Sequence, residues 1–127
     1  FQIYNPFHDV CTSVNNDDVT ATECQHDDVK QWWVWTRCHQ IKHHSSGKCL
    51  DVNGEIMSWT KLYVSTCDSH VSGQQWSCHN NYIQVNGTDL NMNYGHSPPD
   101  VILSDLTGDY NKWRMFNSTN NVCSAKL

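Results

Sequence analysis

The chain has 127 residues, of which 38% are hydrophobic, and 13 acidic against 8 basic residues give a net charge of −5. This length fits one domain, spanning residues 1–127, and the acidic balance excludes the basic face of a nucleic-acid-binding protein. No apolar run reaches the roughly 18 residues of a membrane-spanning helix, so we expect no membrane insertion.

Short β-strands are predicted along the whole chain. The segments QIY, WVWT, KLYV, YIQV and DVILS, in chain order, are rich in β-branched and aromatic residues. Turn-forming pairs lie among them at Asn53-Gly54, Asn86-Gly87 and Gly108-Asp109. No helical apolar period is long enough for a substantial helix. The chain is therefore predicted to be all-β.

A tryptophan recurs at intervals of about 40 residues, at Trp35, Trp76 and Trp113. Two short segments precede each one: VCTSV and VTATEC, KCLDV and LYVSTC, and DLNMN and VILSDL. Three such repeats predict a β-trefoil whose three Trp side chains pack in a shared core. The Gln of QQW is expected to satisfy backbone groups. The predicted lobes are residues 1–42, 43–84 and 85–127.

The cysteines follow the same repeat, since lobes one and two each place a Cys in both segments. A disulfide in each lobe would close a loop of roughly 15 residues and stabilise the fold by about 3 kcal/mol. Lobe three carries Leu90 and Leu106 instead, so an apolar contact is predicted there. The remaining pair would tie lobe three to the C-terminus. The predicted disulfides are Cys11–Cys24, Cys49–Cys67 and Cys78–Cys123.

Cys38 is the odd cysteine among the seven. It is interpreted as a buried free thiol, a capped surface thiol, or an intermolecular disulfide that would make a homodimer. The absence of CxxC, with sequons at Asn86 and Asn117, favours disulfides in a secreted glycoprotein or cell-surface ectodomain. The chain begins at Phe1 without a signal-like segment and is expected to be a mature or excised segment.

The Gln-x-Trp pattern resembles the ricin-type lectin trefoils. The segments FQIYNPFHDVC, QQWSCHN, GTDLNMNYG, KWRMF and NVCSAK more closely resemble the N-terminal cysteine-rich domain of the mannose receptor family, in the branch of the macrophage mannose receptor. The similarity covers essentially the whole chain, with Cys38 outside it. It implies a calcium-independent lectin that binds sulfated N-acetylgalactosamine (GalNAc) and related sugars in a third-lobe pocket.

Carried over from this resemblance, residues 96–100 hold the sulfate and Tyr110 stacks on the sugar. This loop departs from the family, because two prolines and Asp100 replace polar residues, and an inward Asp100 would repel a sulfate. Sulfated galactose or GalNAc is still the favoured ligand class, with unsulfated galactose-type sugars next. The predicted third-lobe residues are Tyr110, His96, Ser97, Asn93, Tyr94 and Asn111.

A secondary candidate site lies in lobe two. Asp51 stands where ricin-type lobes keep a sugar-binding acid, and Tyr63 could stack on the sugar. Gly73 replaces the usual Asn, so Asp51 is also interpreted as a turn-capping residue before Asn53-Gly54. Ser13 in lobe one and Met92 in lobe three are taken as the matching positions.

Catalysis, metal and cofactors are not expected. The histidine-rich residues 39–44 lack HExxH or a spaced Cys/His quartet. No GxSxG is present, and the carboxylate pairs at Asp17-Asp18 and Asp27-Asp28 lie in predicted loops. The sequence predicts a glycan-binding module. The alternative is a protein-interaction or structural trefoil of an extracellular receptor that has lost its sugar site.

Overall fold

The computed structural model describes residues 1–118 and 120–125, within which there are twelve β-strands and four short 3-10 helices. The strands are β1 (Ile3–Asn5), β2 (Val10–Asn15), β3 (Asp18–Thr22), β4 (Trp33–Trp35), β5 (Ile41–His43), β6 (Cys49–Val52), β7 (Leu62–Ser65), β8 (Trp76–His79), β9 (Tyr82–Val85), β10 (Asn91–Tyr94), β11 (Val101–Ser104) and β12 (Arg114–Met115). The 3-10 helices are Val29–Gln31, Ser72–Gln74, Asp109–Asn111 and Val122–Ala125.

Antiparallel pairing joins the strands into two sheets. Eight strands follow the order β12-β1-β2-β3-β7-β6-β5-β4, and four follow the order β11-β10-β9-β8. Isolated backbone bridges connect Gln2 with Trp32 and Lys61 with Ile102, so the chain closes on itself and the two sheets touch. Each successive group of four strands forms one lobe, and the architecture is the all-β trefoil that the repeat predicts.

The predicted lobe boundaries coincide only approximately with the ends of the strands. The predicted division between residues 42 and 43 falls inside β5, and the division between residues 84 and 85 falls inside β9. A division just before each of these strands keeps every strand whole. The exact limits of the lobes stay a prediction.

Three tryptophans occupy equivalent positions in the core. Trp33, Trp76 and Trp113 are each at most 2% exposed, and each donates its indole N–H to a backbone carbonyl in the second strand of its lobe. The accepting carbonyls are those of Thr12, Leu50 and Met92, at 3.5, 3.0 and 3.1 Å. A buried indole N–H needs such a partner, so these bonds fix the register of the three lobes.

The assignment of Trp35 to this set was wrong. The first-lobe member is Trp33, which closes a Gln-x-Trp sequence at Gln31-Trp32-Trp33. Each equivalent Trp comes two residues after a 3-10 helix, and only Trp33 does so in lobe one. Trp35 is also buried, but its indole N–H points to the carbonyl of Val122 at 3.3 Å, in the C-terminal segment.

The polar residue two positions before each Trp is buried and donates to a backbone carbonyl. These residues are Gln31, Gln74 and Asn111, which reach the carbonyls of Glu23, Thr66 and Leu106 at 2.9, 2.9 and 2.6 Å. The interpretation of the Gln as a partner for backbone groups is confirmed. Such bonds hold the loop after the third strand of each lobe.

The disulfides join the pairs that the repeat predicts: Cys11–Cys24, Cys49–Cys67 and Cys78–Cys123. The expected leucine contact in lobe three was wrong by one position. Asn91, not Leu90, aligns with Cys11 and Cys49, and its side-chain amide donates to the carbonyl of Leu106 at 3.0 Å. A side-chain hydrogen bond therefore replaces the disulfide. Leu90 packs in the core, while the side chain of Leu106 is 46% exposed.

Candidate functional site

The same strand position in each lobe carries a polar residue. Ser13, Asp51 and Asn93 each directly follow the residue whose carbonyl accepts the tryptophan bond. The assignment of Met92 to this position in lobe three was wrong. Its carbonyl accepts the Trp113 indole bond, so Met92 is equivalent to Leu50, and Asn93 is equivalent to Asp51. The three lobes thus share one backbone frame and differ in the side chains that it presents.

In lobe two, Asp51 is committed to internal hydrogen bonds. It is 6% exposed, and its carboxylate accepts from Val52 N at 2.7 Å, Ser65 Oγ at 2.7 Å and Gln74 Nε2 at 3.2 Å. A Cβ added at Gly73 would lie 2.6 Å from Asp51 Oδ1. The glycine therefore leaves room for the carboxylate, and the carboxylate holds the lobe together.

Tyr63 lies directly opposite Asp51 in the β6–β7 register and is half-buried. It also pairs with Asp18 of β3, so it sits at the junction of lobes one and two. The secondary site thus has its two predicted residues side by side. The internal bonding of Asp51 nevertheless makes its carboxylate a poor acceptor for sugar hydroxyls, since it is buried and already accepts three hydrogen bonds of roughly four that a carboxylate can take.

In lobe three, two buried amides form a polar floor. Asn93 and Asn111 are 0% and 1% exposed, and Asn93 Nδ2 donates to Asn111 Oδ1 at 2.8 Å. Asn93 Oδ1 is buried without a hydrogen-bond partner among the described residues. An unused buried acceptor is uncommon, and Thr12 Oγ1, Asn81 Oδ1 and Asn91 Oδ1 share this state.

A cavity of about 290 Å³ lies beside this floor, lined by residues 106–111 and His96. Tyr110 forms one wall and is half-buried, whereas His96 is exposed. The structure therefore brings together three predicted residues, His96, Tyr110 and Asn111, around one opening. An aromatic ring beside a few fixed polar groups is the arrangement that a small polar ligand requires.

The other predicted residues lie around this cavity rather than in its walls. Tyr94 is half-buried and packs edge-on against His8, with ring centroids 5.1 Å apart. Ser97 is exposed, and its carbonyl accepts from Asp100 N at 2.8 Å. Asp100 pairs with Lys61 at 3.2 Å, so its charge is directed to the neighbouring lobe.

Lobe one contributes two rings that the sequence did not indicate. The His8 and Phe7 rings lie 4.6 and 4.8 Å from the Tyr110 ring. A Cβ at Gly95 would lie 2.7 Å from the His8 ring and 2.9 Å from Tyr110 Cδ2. Buried Asn5 donates to the carbonyl of Tyr110 at 3.3 Å. These contacts fix the orientation of Tyr110, and nothing in the local sequence could reveal them.

Lobe two contributes Trp59, which the sequence also did not indicate. Its ring lies 4.8 Å from that of His96, and the His96 ring lies 5.8 Å from that of Tyr110. Trp59 is 53% exposed. Rings from all three lobes therefore form one surface around the cavity, defined here as the aromatic surface of Phe7, His8, Trp59, Tyr94, His96 and Tyr110.

The histidine-rich segment has no common centre. His39 and His44 are exposed, while His43 is buried, with its ring nitrogens 2.8 Å from Ser46 Oγ and 2.7 Å from the Lys30 carbonyl. The residues that the structure describes contain no group of three or more His, Cys, Asp or Glu that could hold a metal ion. None of the helices within residues 1–118 and 120–125 has the length and apolarity to cross a membrane.

Cys38 is exposed on the connection between β4 and β5, so the interpretation as a buried thiol was wrong. Asn86 and Asn117 are exposed. Thr119, which completes the second sequon, lies outside the described residues.

The fold and the aromatic cavity define a trefoil of the lectin class. The beta-trefoil lectin of Vibrio vulnificus hemolysin/cytolysin, with N-acetyl-D-lactosamine bound, superposes with a TM-score of 0.72 at 18% identity, covering 89% of this chain and 90% of that chain. A non-toxic homologue of type II RIPs from Momordica charantia, in complex with alpha-methyl-D-galactoside, superposes with a TM-score of 0.75 at 21% identity. The match covers 88% of this chain and 45% of that chain. At these identities the likeness concerns the fold.

The chain belongs to the ricin-type beta-trefoil lectin domain family, whose model matches residues 2–76. It is therefore a carbohydrate-binding module, a class that binds glycans without transforming them. It is also similar to N-acetylgalactosaminyltransferase 7 of Mus musculus, at 33% identity over 75 residues, which is 58% of this chain. The chain spans only 11% of the length of that relative.

Proposed function

We propose that this domain binds galactose- or GalNAc-type sugars, without calcium, in the shallow pocket of its third lobe. The observation that carries the proposal is the Tyr110 ring, held at the wall of the cavity by His8, Phe7 and Asn5. A ring fixed before the ligand arrives loses little conformational freedom on binding. The apolar face of a galactose-type sugar can stack on such a ring.

The polar floor supports the same proposal. Asn111 lines the cavity beside Tyr110, and its Oδ1 accepts from Asn93 Nδ2 at 2.8 Å. Within the part of the chain that the structure describes, Asp109 is the one carboxylate in the cavity lining. Calcium takes about six to eight oxygen ligands. A single carboxylate is therefore consistent with binding that does not need this ion.

Charge favours neutral sugars over sulfated ones. Among the described residues, the cavity lining contains Asp109 and His96 but neither Lys nor Arg, the side chains that best bind a sulfate or phosphate oxygen. Lys112 lies outside the lining and faces Asp109 at 3.8 Å. We therefore place unsulfated galactose and GalNAc first and their sulfated forms second. Membership of the mannose receptor family remains part of this proposal, supported by the segments named above.

The test is a glycan array, with and without EDTA, followed by titration calorimetry of Tyr110→Ala. Removing the stacking ring should weaken binding at least about tenfold. Tyr110→Phe keeps the ring and should retain most of the affinity. Asp51→Asn is the matched control in lobe two and should leave binding unchanged. Binding that survives Tyr110→Ala but disappears in Asp51→Asn would place the sugar in lobe two instead.

A second candidate is a protein-interaction module of an extracellular receptor. The observation that favours it is an apolar groove of about 420 Å³ in lobe one, whose lining includes Phe1, Val29, Trp32 and Val34. Val29 and Val34 are 58% and 44% exposed. Exposed apolar surface of this kind marks interaction sites. Lack of binding to any glycan at high protein concentration would favour this alternative.

The proposed setting is extracellular. Three disulfides in a small domain are typical of an oxidising compartment. The exposed Asn86 is suited to carry a glycan. For the exposed Cys38, a homodimer-forming disulfide and a capped thiol both stay predictions, which non-reducing and reducing electrophoresis would separate.

A further inference from the structure

Trp59 has an unusual backbone for a large side chain. Its φ is +78°, in the left-handed region, where a bulky residue is a genuine outlier. Such conformations persist only where the surrounding structure imposes them, and they concentrate at functional sites. Burial does not account for this one, because the Trp59 side chain is 53% exposed.

The loop that carries Trp59 is fastened to lobe three. Trp59 N donates to the carbonyl of Leu103 at 2.7 Å, and Leu103 N donates to the carbonyl of Thr60 at 2.9 Å. The Lys61–Asp100 ion pair joins the same two segments. The backbone of Trp59 is therefore fastened to lobe three, and its ring contacts His96, which lines the cavity of that lobe.

The His96 ring contacts both Trp59 and Tyr110. The His96 ring is 4.8 Å from Trp59 and 5.8 Å from Tyr110, and both contacts are edge-on. Stacked or edge-on neighbours at such distances form a continuous surface. The aromatic surface therefore extends beyond the cavity, towards lobe two.

We propose that Trp59 is a second stacking platform and that the ligand is a galactose-terminated oligosaccharide of at least two sugar units. The terminal sugar packs on Tyr110 over the polar floor, and the next unit packs on Trp59. This inference rests on the proposed function and specifies its ligand. A fixed indole suits the role because a large apolar face is offered at small entropic loss on binding.

The experiment compares methyl-β-galactoside with lactose by titration calorimetry. The wild-type domain should bind the disaccharide more tightly than the monosaccharide. Trp59→Ala should weaken lactose binding by about threefold to tenfold and leave the monosaccharide unchanged, because only the second unit loses its platform. Trp59→Phe should restore part of the lactose affinity.

Met57 provides the matched control. It lies in the same loop and its side chain is also 53% exposed, so Met57→Ala removes exposed apolar surface from that loop and keeps the indole. It should bind both sugars like the wild type. Circular dichroism and thermal unfolding of each variant establish that the fold is retained.

Three results would overturn the inference. If each sugar bound Trp59→Ala as tightly as it binds the wild type, there would be no second platform. That result would favour a protein partner for the exposed indole. A parallel loss for both sugars would make Trp59 a support for Tyr110 instead. In both cases the monosaccharide binds the wild type and the proposed function stands. Failure of both sugars to bind the wild type would overturn the proposed function as well.

Discussion

Lobes two and three build the same frame and use it differently. In lobe two, the residue after the carbonyl that accepts the tryptophan bond is Asp51. Its carboxylate accepts hydrogen bonds from Val52, Ser65 and Gln74, and Gly73 lies beside it. In lobe three the corresponding amides leave an acceptor free, and Tyr110 stands where lobe two has Gly73, three residues before the core Trp. An inward-facing acid stabilises its own lobe, whereas the half-buried Tyr110 ring forms the wall of a cavity.

In each of the two lobes, a bond joins the start of the second strand to the segment after the third strand, and these bonds differ in strength. Lobe two has the Cys49–Cys67 disulfide, and lobe three has the Asn91 amide on the Leu106 carbonyl. A disulfide restricts the unfolded chain as well, while a side-chain hydrogen bond contributes only its net free energy in the folded state. Lobe three should therefore be the more weakly closed of the two.

The largest expected effect tests this difference. Cys49→Ala with Cys67→Ala should lower the free energy of unfolding by about 3 kcal/mol. Asn91→Ala should lower it by only about 1 kcal/mol. Urea denaturation of both variants measures the two values. If Asn91→Ala proved as destabilising as loss of the disulfide, closure of the two lobes would be equivalent and the comparison would fail.

An intermediate effect tests the role of Asp51. Gly73→Ala places a methyl group 2.6 Å from Asp51 Oδ1 and should destabilise the domain by about 1–3 kcal/mol. In an Asp51→Ala background the added methyl group should destabilise much less, because the conflicting carboxylate is gone. A double-mutant cycle in urea gives this coupling. Additive effects would mean that the carboxylate moves aside freely and is not committed to the lobe.

The smallest expected effect concerns pH. His43, in the first strand of lobe two, is 2% exposed, and burial lowers its pKa below the ordinary 6.5. The Lys30 carbonyl can only accept, so the neutral ring donates from Nε2 and accepts from Ser46 at Nδ1. In the pH range just below 6.5, the unfolded chain binds a proton that the folded domain does not.

The free energy of unfolding should therefore fall as the pH drops below 6.5, and the contribution of His43 should be constant above that value. His43→Gln should reduce this slope. Urea denaturation of wild type and variant at roughly pH 7.5 and 5.5 measures the difference. Parallel stability curves for the two proteins would show that the buried ring in lobe two does not contribute to the pH dependence.

The sequence alone determined the all-β trefoil and the disulfide pairs. These features depend on spacing along the chain, and the repeat preserves that spacing. The family resemblance added the third-lobe pocket with Tyr110 and His96, which stays a prediction. Local patterns could not identify Trp33 as the core tryptophan of lobe one or Asn91 as the equivalent of Cys11 and Cys49. Trp35 and Leu90 lie two residues and one residue away and fit the repeat equally well. The indole hydrogen bonds decide between those registers.

Only the tertiary structure decided which rings surround the cavity. Phe7 and Trp59 come from two other lobes, far from Tyr110 in sequence, and closure of the trefoil brings them to one surface. It also turned Asp51 inward, where the neighbouring donors use its charge. The physical reason is that a residue's chemistry is set by what surrounds it in space. In a closed threefold fold, those neighbours come from every part of the chain.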